Sequence, residues 1–252
     1  MKPSDMKGKA ALVTGAASGL GKGTALALAR AGADVCIVDM NASGLEEAAG
    51  AVRALGARAH VHQTDLSKAE NCRAAVAAAV HAFGRLDALC NVAGIIVFTN
   101  AHEMAQADWE KTIAVNLSAP FYLIQAAIPH LLETHGAVVN VTSSGGIIGE
   151  AYLGAYCASK AGLMNLTKAL SMEYMHKPIR FNSVAPGGMM TNIAANMKLP
   201  EGVDMELVRR FSGMRGLIEV EDAAAMIAHL ASPAGRAFHG SCVTMDRGIT
   251  AG

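Results

Sequence analysis

The junction at residues 10–21 constrains this chain most. The apolar run Ala10-Ala11-Leu12-Val13 leads straight into Thr14-Gly15-Ala16-Ala17-Ser18-Gly19-Leu20-Gly21. A short apolar run suits a buried strand. Closely spaced glycines suit a turn whose backbone must lie against something on its far side. A helix follows over about 22–30, with Gly32 as its C-terminal cap. Strand, glycine turn and helix N-terminus together aim free N–H groups and the positive end of a helix at one point. That is the geometry of a phosphate cradle, and the strand–turn–helix context gives the glycine spacing its weight.

The second strand, residues 33–38, runs into Asp39, eighteen residues after Gly21. An acidic residue there meets the ribose hydroxyls of a dinucleotide. Its charge repels a 2′-phosphate, and no Arg or Lys stands between Ala16 and Leu20 or at Met40 and Asn41 to attract one. NAD is therefore expected over NADP. Strands and helices alternate along the rest of the chain, which predicts a parallel sheet. Ser43-Gly44-Leu45-Glu46 and Ser67-Lys68-Ala69-Glu70 read as capping boxes, with their helices ending near Gly56 and Gly84. A long helix over about 106–133 carries Asn116 and contains Pro120, which predicts a kink there.

Tyr156 and Lys160 stand four apart in a segment with helical character, and so share one helix face. Ser143 precedes the tyrosine by thirteen residues. A phenol with its usual pKa of about 10 is a poor proton exchanger at neutral pH. A neighbouring ammonium, or an oxidised nicotinamide ring, favours the phenolate and brings the group toward useful acid/base range.

These motifs, with Asp65-Leu66, Asn91-Val92-Ala93-Gly94, Asn116, Ser143 and Pro186-Gly187 in order, resemble the short-chain dehydrogenases/reductases of about 250 residues along nearly the whole chain. The resemblance implies a Rossmann-type doubly wound α/β domain over 1–252. It has a parallel sheet of about seven strands, helices on both faces and a substrate lid at about 188–216. It implies that Asn116, Ser143, Tyr156 and Lys160 form a catalytic tetrad. Tyr156 exchanges the proton, Ser143 holds the reacting oxygen, Lys160 binds the nicotinamide ribose and lowers the tyrosine pKa, and Asn116 supports a water next to Lys160. The NAD contacts it implies, besides Tyr156 and Lys160, are Gly15, Ser18, Gly19, Leu20, Gly21, Asp39, Met40, Asp65, Leu66, Asn91, Ala93, Gly94, Pro186, Gly187, Met189 and Thr191. Val92 departs from the family's second asparagine, where a local packing difference is expected. Substrate contacts are expected from Ser143, Ser144, Ile95, Met190 and Met197, and a homotetramer is the expected assembly.

The lid segment is rich in Met, Leu and Ile, which suits an apolar or cyclic secondary alcohol or ketone, a steroid among them. A 3-oxoacyl thioester reductase, a polyol dehydrogenase and a non-catalytic NAD-binding sensor are the alternatives. Glu150 is expected to face solvent, or else to meet a substrate hydroxyl. Twenty-one basic and 21 acidic residues without a long basic run give no support to nucleic-acid or membrane-surface binding. No signal-peptide core and no uninterrupted apolar span is legible, and the expected compartment is the cytoplasm. Five scattered cysteines lack a C-x-x-C. Cys157 reads as a packed thiol, with a redox role as the alternative. His60 and His62 lack a third ligand, so no metal is expected.

Overall fold

The computed structural model describes residues 5–190, 199, 201–211, 213 and 215–251. Thr191, Met197 and most of the central part of the expected lid lie outside them. Seven strands form one parallel sheet: β1 (Ala10–Thr14), β2 (Asp34–Asp39), β3 (Ala59–Gln63), β4 (Ala88–Asn91), β5 (Ala137–Val141), β6 (Arg180–Pro186) and β7 (Cys242–Met245). Their spatial order is β3-β2-β1-β4-β5-β6-β7. The order reverses between β1 and β4. At such a switch point the crossovers leave in opposite directions, and a crevice opens at the carboxyl ends of the strands.

The strands read as apolar runs because both faces are covered. Their period of two divides them cleanly. Ala11 and Val13 of β1, Val35 and Ile37 of β2, and Val139 of β5 pack into one core with α1 (Gly19–Arg30), α2 (Ala42–Ala54) and a helix at Val220–Ala231. Leu12, Cys36, Val38 and Val138 point the other way, into a core with α3 (Ala69–Phe83) and α5 (Ala119–Thr134). The remaining helices are α4 (Gln106–Ile113), α6 (Gly154–Glu173) and α7 (Met205–Arg209), which makes Val220–Ala231 α8.

Helix starts differ from the sequence reading in three places. α1 begins at Gly19, with Ser18 as its N-cap, so the glycine turn flows directly into helix. α2 is capped by Asn41, whose side chain accepts from the Gly44 N–H, and Ser43 lies within the first turn. α3 is capped at Lys68 without a side-chain bond, while Asp65 upstream accepts from the Ser67 N–H. At α2 an Asx side chain nearer the strand end took the task assigned to serine, and at α3 no side chain took it. Gly84 ends α3 at φ 74°, as its position suggested.

The long helix carrying Asn116 is interrupted by a π-helical turn, Ala114–Ser118, before α5 resumes with Pro120 in its first turn. Pro120 has no N–H to offer the Asn116 carbonyl four residues back, so the widened turn occurs where the α-helical bond cannot form. The whole run Gln106–Thr134 is long and apolar enough to match a membrane span by length and composition. Here it packs against α3 and α6 as a layer of the domain, with Asn116 fully buried.

At the opposite end of the sheet, Asp87 is 3% exposed and ties three strands together. Its carboxylate accepts from Arg85 through both Nε and Nη2 at 2.7 Å, from the Ala10 N–H at 2.9 Å and from Lys9 at 3.3 Å. Burial works to raise its pKa, but the Arg85 bonds, the Ala10 N–H and Lys9 together hold it below the usual carboxylate range. A carboxylate with a depressed folded-state pKa stabilises the fold above its unfolded pKa of about 4, and that stabilisation is lost as pH falls further. Asp87→Asn should cost about 3 kcal/mol at neutral pH. It should also flatten the acid side of a Tm-versus-pH curve followed by circular dichroism. Equal melting temperatures for the two proteins at pH 7 would contradict this.

Candidate active site

The crevice at the switch point runs from Asp39 at one end to Ser143, Tyr156 and Lys160 at the other, with a cavity volume of about 230 Å³. Its floor is built from backbone in close contact. A Cβ on Gly21 would stand 1.9 Å from the Gly15 carbonyl oxygen, and one on Gly15 would stand 2.9 Å from the Ala93 Cα. Gly15 also holds φ 69°, a conformation that L side chains rarely adopt. Thr14 secures the third backbone, since its Oγ1 accepts from the N–H groups of both Val92 and Ala93. The crevice is therefore walled by main chain wherever a phosphate-bearing ligand must approach.

Asp39 closes the adenosine end. Its carboxylate accepts from the N–H groups of Met40 at 2.7 Å, Asn41 at 3.0 Å and Ala17 at 3.2 Å. Lys22, a cation near the turn, is paired with Glu47. Ser18 makes no capping bond, and with Gly19, Leu20 and Gly21 it lines the crevice at the N-terminus of α1. Close backbone approach, a helix N-terminus and a carboxylate at this spacing fit a dinucleotide.

At the other end, Lys160 is 3% exposed and its ammonium donates to the Val141 carbonyl at 2.8 Å. Burial without a carboxylate partner lowers its pKa to about 8. Burial also pushes the Tyr156 hydroxyl up to about 12, against a hydrogen bond with Ser143 that acts downward, while the charge of Glu150 adds to the rise. At the phenol, burial outweighs the Ser143 hydrogen bond. Ser143 is placed by the short 3₁₀ turn Ser144–Gly146, and its Oγ accepts from the Gly145 N–H at 3.1 Å.

Asn116 is positioned by a reciprocal clasp. Its Oδ1 accepts from the Ile95 N–H at 2.8 Å, and its Nδ2 donates to the Ile95 carbonyl at 2.9 Å and to Ser159 Oγ at 3.1 Å. The side chain thus joins the strip after β4 to α6, next to Lys160. Its own backbone carbonyl lies in the π turn.

Several expected contacts lie outside the crevice wall. Asn91 is buried and donates to Asn140, which in turn donates to Thr167 of α6, so it links β4 to β5 and α6 from inside the sheet. The Asn91 Oδ1 has no hydrogen-bond partner among the described residues. Asp65 turns its carboxylate to the Ser67 N–H, and Leu66 sits in the second core. Met40 is 62% and Met190 71% exposed, and neither lines the crevice. Ser144 donates to Glu150, and Ile95 is committed through its backbone to Asn116. Gly94, Pro186, Gly187 and Met189 do line it. So do Val92, Ile96, Val141 and Thr142, of which Val141 and Thr142 received no role from the sequence. Their place at the end of β5, just before Ser143, was the available signal. Cys157 is half-buried, its thiol pKa is raised by burial, and Glu150's carbonyl is 3.9 Å away, all features of an unreactive thiol.

Comparison with known proteins converges on this geometry. The family profile for short chain dehydrogenases matches residues 9–202. The chain belongs to the short-chain dehydrogenase family. It is an oxidoreductase, and the family binds a nicotinamide cofactor. Among curated relatives, a cyclohexanol dehydrogenase from an Acinetobacter species is 36% identical over 96% of this chain and 95% of its own. A 2,5-dichloro-2,5-cyclohexadiene-1,4-diol dehydrogenase of Sphingobium indicum is 40% identical over 76% of this chain and 77% of its own. Among solved structures, a short chain dehydrogenase from Burkholderia cenocepacia in complex with NADP superimposes with a TM-score of 0.88. It is 32% identical, covering 97% of this chain and 98% of that one.

The crowding at Gly21 makes a direct prediction. Gly21→Ala must separate the turn from the head of α1, so dinucleotide affinity, read by quenching of the single Trp109, should fall at least ~10-fold. Unchanged affinity would mean that the close approach is not what shapes the cradle.

Proposed function

We propose that this dehydrogenase is NAD-dependent and interconverts a secondary alcohol and its ketone, with a cyclic, largely apolar substrate. The observation that carries this reading is the single crevice connecting the Asp39 carboxylate with Ser143, Tyr156 and Lys160. A ligand long enough to bridge them has its ribose hydroxyls at one end and its reactive ring at the other.

Asp39 supports the preference for NAD. Its carboxylate is already oriented by three backbone N–H groups, it lines the crevice, and the nearby Lys22 is neutralised by Glu47. A 2′-phosphate would meet net negative charge there. The Burkholderia structure is a complex with NADP, so the reading in favour of NAD rests on this residue rather than on the architecture.

When bound, the nicotinamide accepts or supplies the hydride. The protein's part is to hold the substrate oxygen and move its proton. Ser143 donates a hydrogen bond to that oxygen and fixes the carbinol carbon. Tyr156 takes the proton in oxidation or gives it in reduction. Burial pushes the phenol up to about 12, so oxidation requires that its anion be stabilised. The buried Lys160 ammonium is at hand for this, 5.7 Å from the centre of the tyrosine ring. Asn116 of the π turn, bonded through its side chain to Ser159 next to Lys160, is the residue that would support a water connecting the ammonium to solvent.

The cyclohexanol and cyclohexadiene-diol relatives support a ring-bearing alcohol. So does the apolar wall made by Val92, Ile96 and Met189. Phe98, Tyr152 and Phe211 form an aromatic cluster nearby, with Phe98 5.7 Å from Tyr152 and 6.4 Å from Phe211. Tyr152 holds φ 67° and accepts from the Asp204 N–H at the head of α7, which ties that helix to the loop before α6. A homotetramer in the cytoplasm belongs to the same reading. The exposed Trp109 and Phe121 on α4 and α5 offer an apolar surface for such an assembly.

Two measurements test this. Catalytic efficiency with cyclohexanol should favour NAD over NADP by at least ~100-fold, and Asp39→Ser should erase most of that ratio. A wild-type preference for NADP would overturn the cofactor assignment. Tyr156→Phe should lower kcat by at least ~1,000-fold while NAD still binds within about threefold of wild type. Near-normal turnover would remove Tyr156 from the chemistry.

A further inference from the structure

Pro186, Gly187 and Met189 line the crevice at the end of β6. β6 pairs with β5, with Val184 opposite Val141, so these residues stand beside the strand end that leads to Ser143. Three strands, β1, β4 and β5, separate them from Asp39 on β2. Gly187 gives this wall no side chain of its own, and its backing comes from the turn that follows β7. The Gly187 N–H donates to the Met245 carbonyl at 2.9 Å. A Cβ on Gly187 would meet Ile249 Cδ1 at 2.9 Å and the Asp246 Cα at 3.0 Å.

One carboxylate shapes that turn into a hook. Asp246 is buried and accepts from the N–H groups of Gly248 and Thr250, each at 2.9 Å, and from the Thr250 hydroxyl. Burial works to raise its pKa, but these bonds together hold it below the usual carboxylate range. The chain folds back over 246–250 and sets the Ile249 side chain against Gly187. A β-branched side chain is stiff, so it makes a defined spacer. The same side chain reaches Gly213, whose Cβ would stand 3.5 Å from Ile249 Cγ1. Arg247 donates from Nη1 to the Arg215 carbonyl at 2.8 Å. The hook therefore touches both limbs of the 188–216 segment, where it leaves β6 and where it returns toward α8. The limbs also hold each other, since the Ile218 N–H donates to the Gly188 carbonyl at 2.9 Å and Met189 bridges to Ile218. Asp246, Arg247 and Ile249 do not line the crevice, so they act on a bound ligand only through the wall they support.

We propose that the hook Asp246–Thr250 positions the nicotinamide half of the dinucleotide, with Ile249 as the positioning residue that fixes the Gly187–Met189 wall and Asp246 as the group that fixes Ile249. This rests on the dehydrogenase reading above and adds to it a residue set outside the crevice. The adenosine half belongs to Asp39, on the far side of three strands, and is independent of the hook. Removing the spacer leaves that half in place while the reacting ring loses its wall. Hydride transfer feels a displacement of about 1 Å as a loss of ~100-fold, so a small movement of the wall is enough.

The test separates the two halves of the ligand in Ile249→Ala. Affinity for ADP-ribose, which lacks the nicotinamide ring, is measured by isothermal titration calorimetry and should stay within about twofold of wild type. The emission of bound NADH, which reports the surroundings of its reduced ring, should shift toward that of NADH in water. Single-turnover hydride transfer from cyclohexanol to saturating NAD should slow about tenfold or more. Asp39→Ser should instead weaken ADP-ribose. Thr250→Val removes one bond to Asp246 and keeps Ile249, so it should shift the emission in the same direction by less, and it serves if Ile249→Ala fails to fold. Loss of ADP-ribose affinity in step with the rate, as a merely loosened fold gives, would overturn the inference, as would unchanged emission. In either case the dehydrogenase reading stands. Emission and ADP-ribose affinity decide the inference even if cyclohexanol is not turned over. A wild type that binds neither nucleotide overturns both readings.

Discussion

The close approach of three backbone segments at the switch point is the constraint on which the rest depends. Gly21 lies so near the Gly15 carbonyl, and Gly15 so near Ala93, that no side chain fits between them. This contact lets α1 start directly over the end of β1, and it turns the strip after β4 across the crevice. Thr14 holds that strip by two N–H groups, and Asn116 holds its continuation at Ile95. A chain of bonds from the Thr14 and Asn116 side chains to this backbone therefore fixes the distance between the phosphate cradle and the reacting end. Hydride transfer is sensitive to small errors in that distance, which is why so much of the site is backbone rather than flexible side chain.

The electrostatics of the reacting end follow from burial. A lysine buried without a carboxylate is strained toward neutrality, and a buried phenol is strained toward protonation. Both shifts arise because a low-polarity surrounding disfavours charge. The same cause acts on Glu150, whose half-buried charge bears on Tyr156.

Much was legible without coordinates. The strand–turn–helix at 10–30, the alternation that makes a parallel sheet, Asp39 at the second strand end, and the spacing of Ser143, Tyr156 and Lys160 are local patterns, and the structure brings these residues to one crevice. The errors have a common source. Ser43 and Ser67 matched a capping pattern, but Asn41 and Asp65 at the preceding strand ends held the turn first. Pro120 announced a break, but only the helix geometry turned it into a π turn at Asn116. Asn91 was expected under the cofactor and instead faces Asn140 inside the sheet. Each depended on which neighbour the fold supplies, and that is not written in a linear pattern.

The sequence by itself determined the fold class, the order of the elements and the expectation that Ser143, Tyr156 and Lys160 belong to one site. These follow from hydrophobic period, glycine placement and intervals within single elements, all of which are local physics. The tertiary structure alone decided the protonation tendencies of Tyr156 and Lys160, the four-way grip on Asp87 and the accommodation of Glu150 against Gly145. These depend on how deeply a group is removed from water and on what faces it across the fold. Such facts arise only when segments far apart in the chain are packed together.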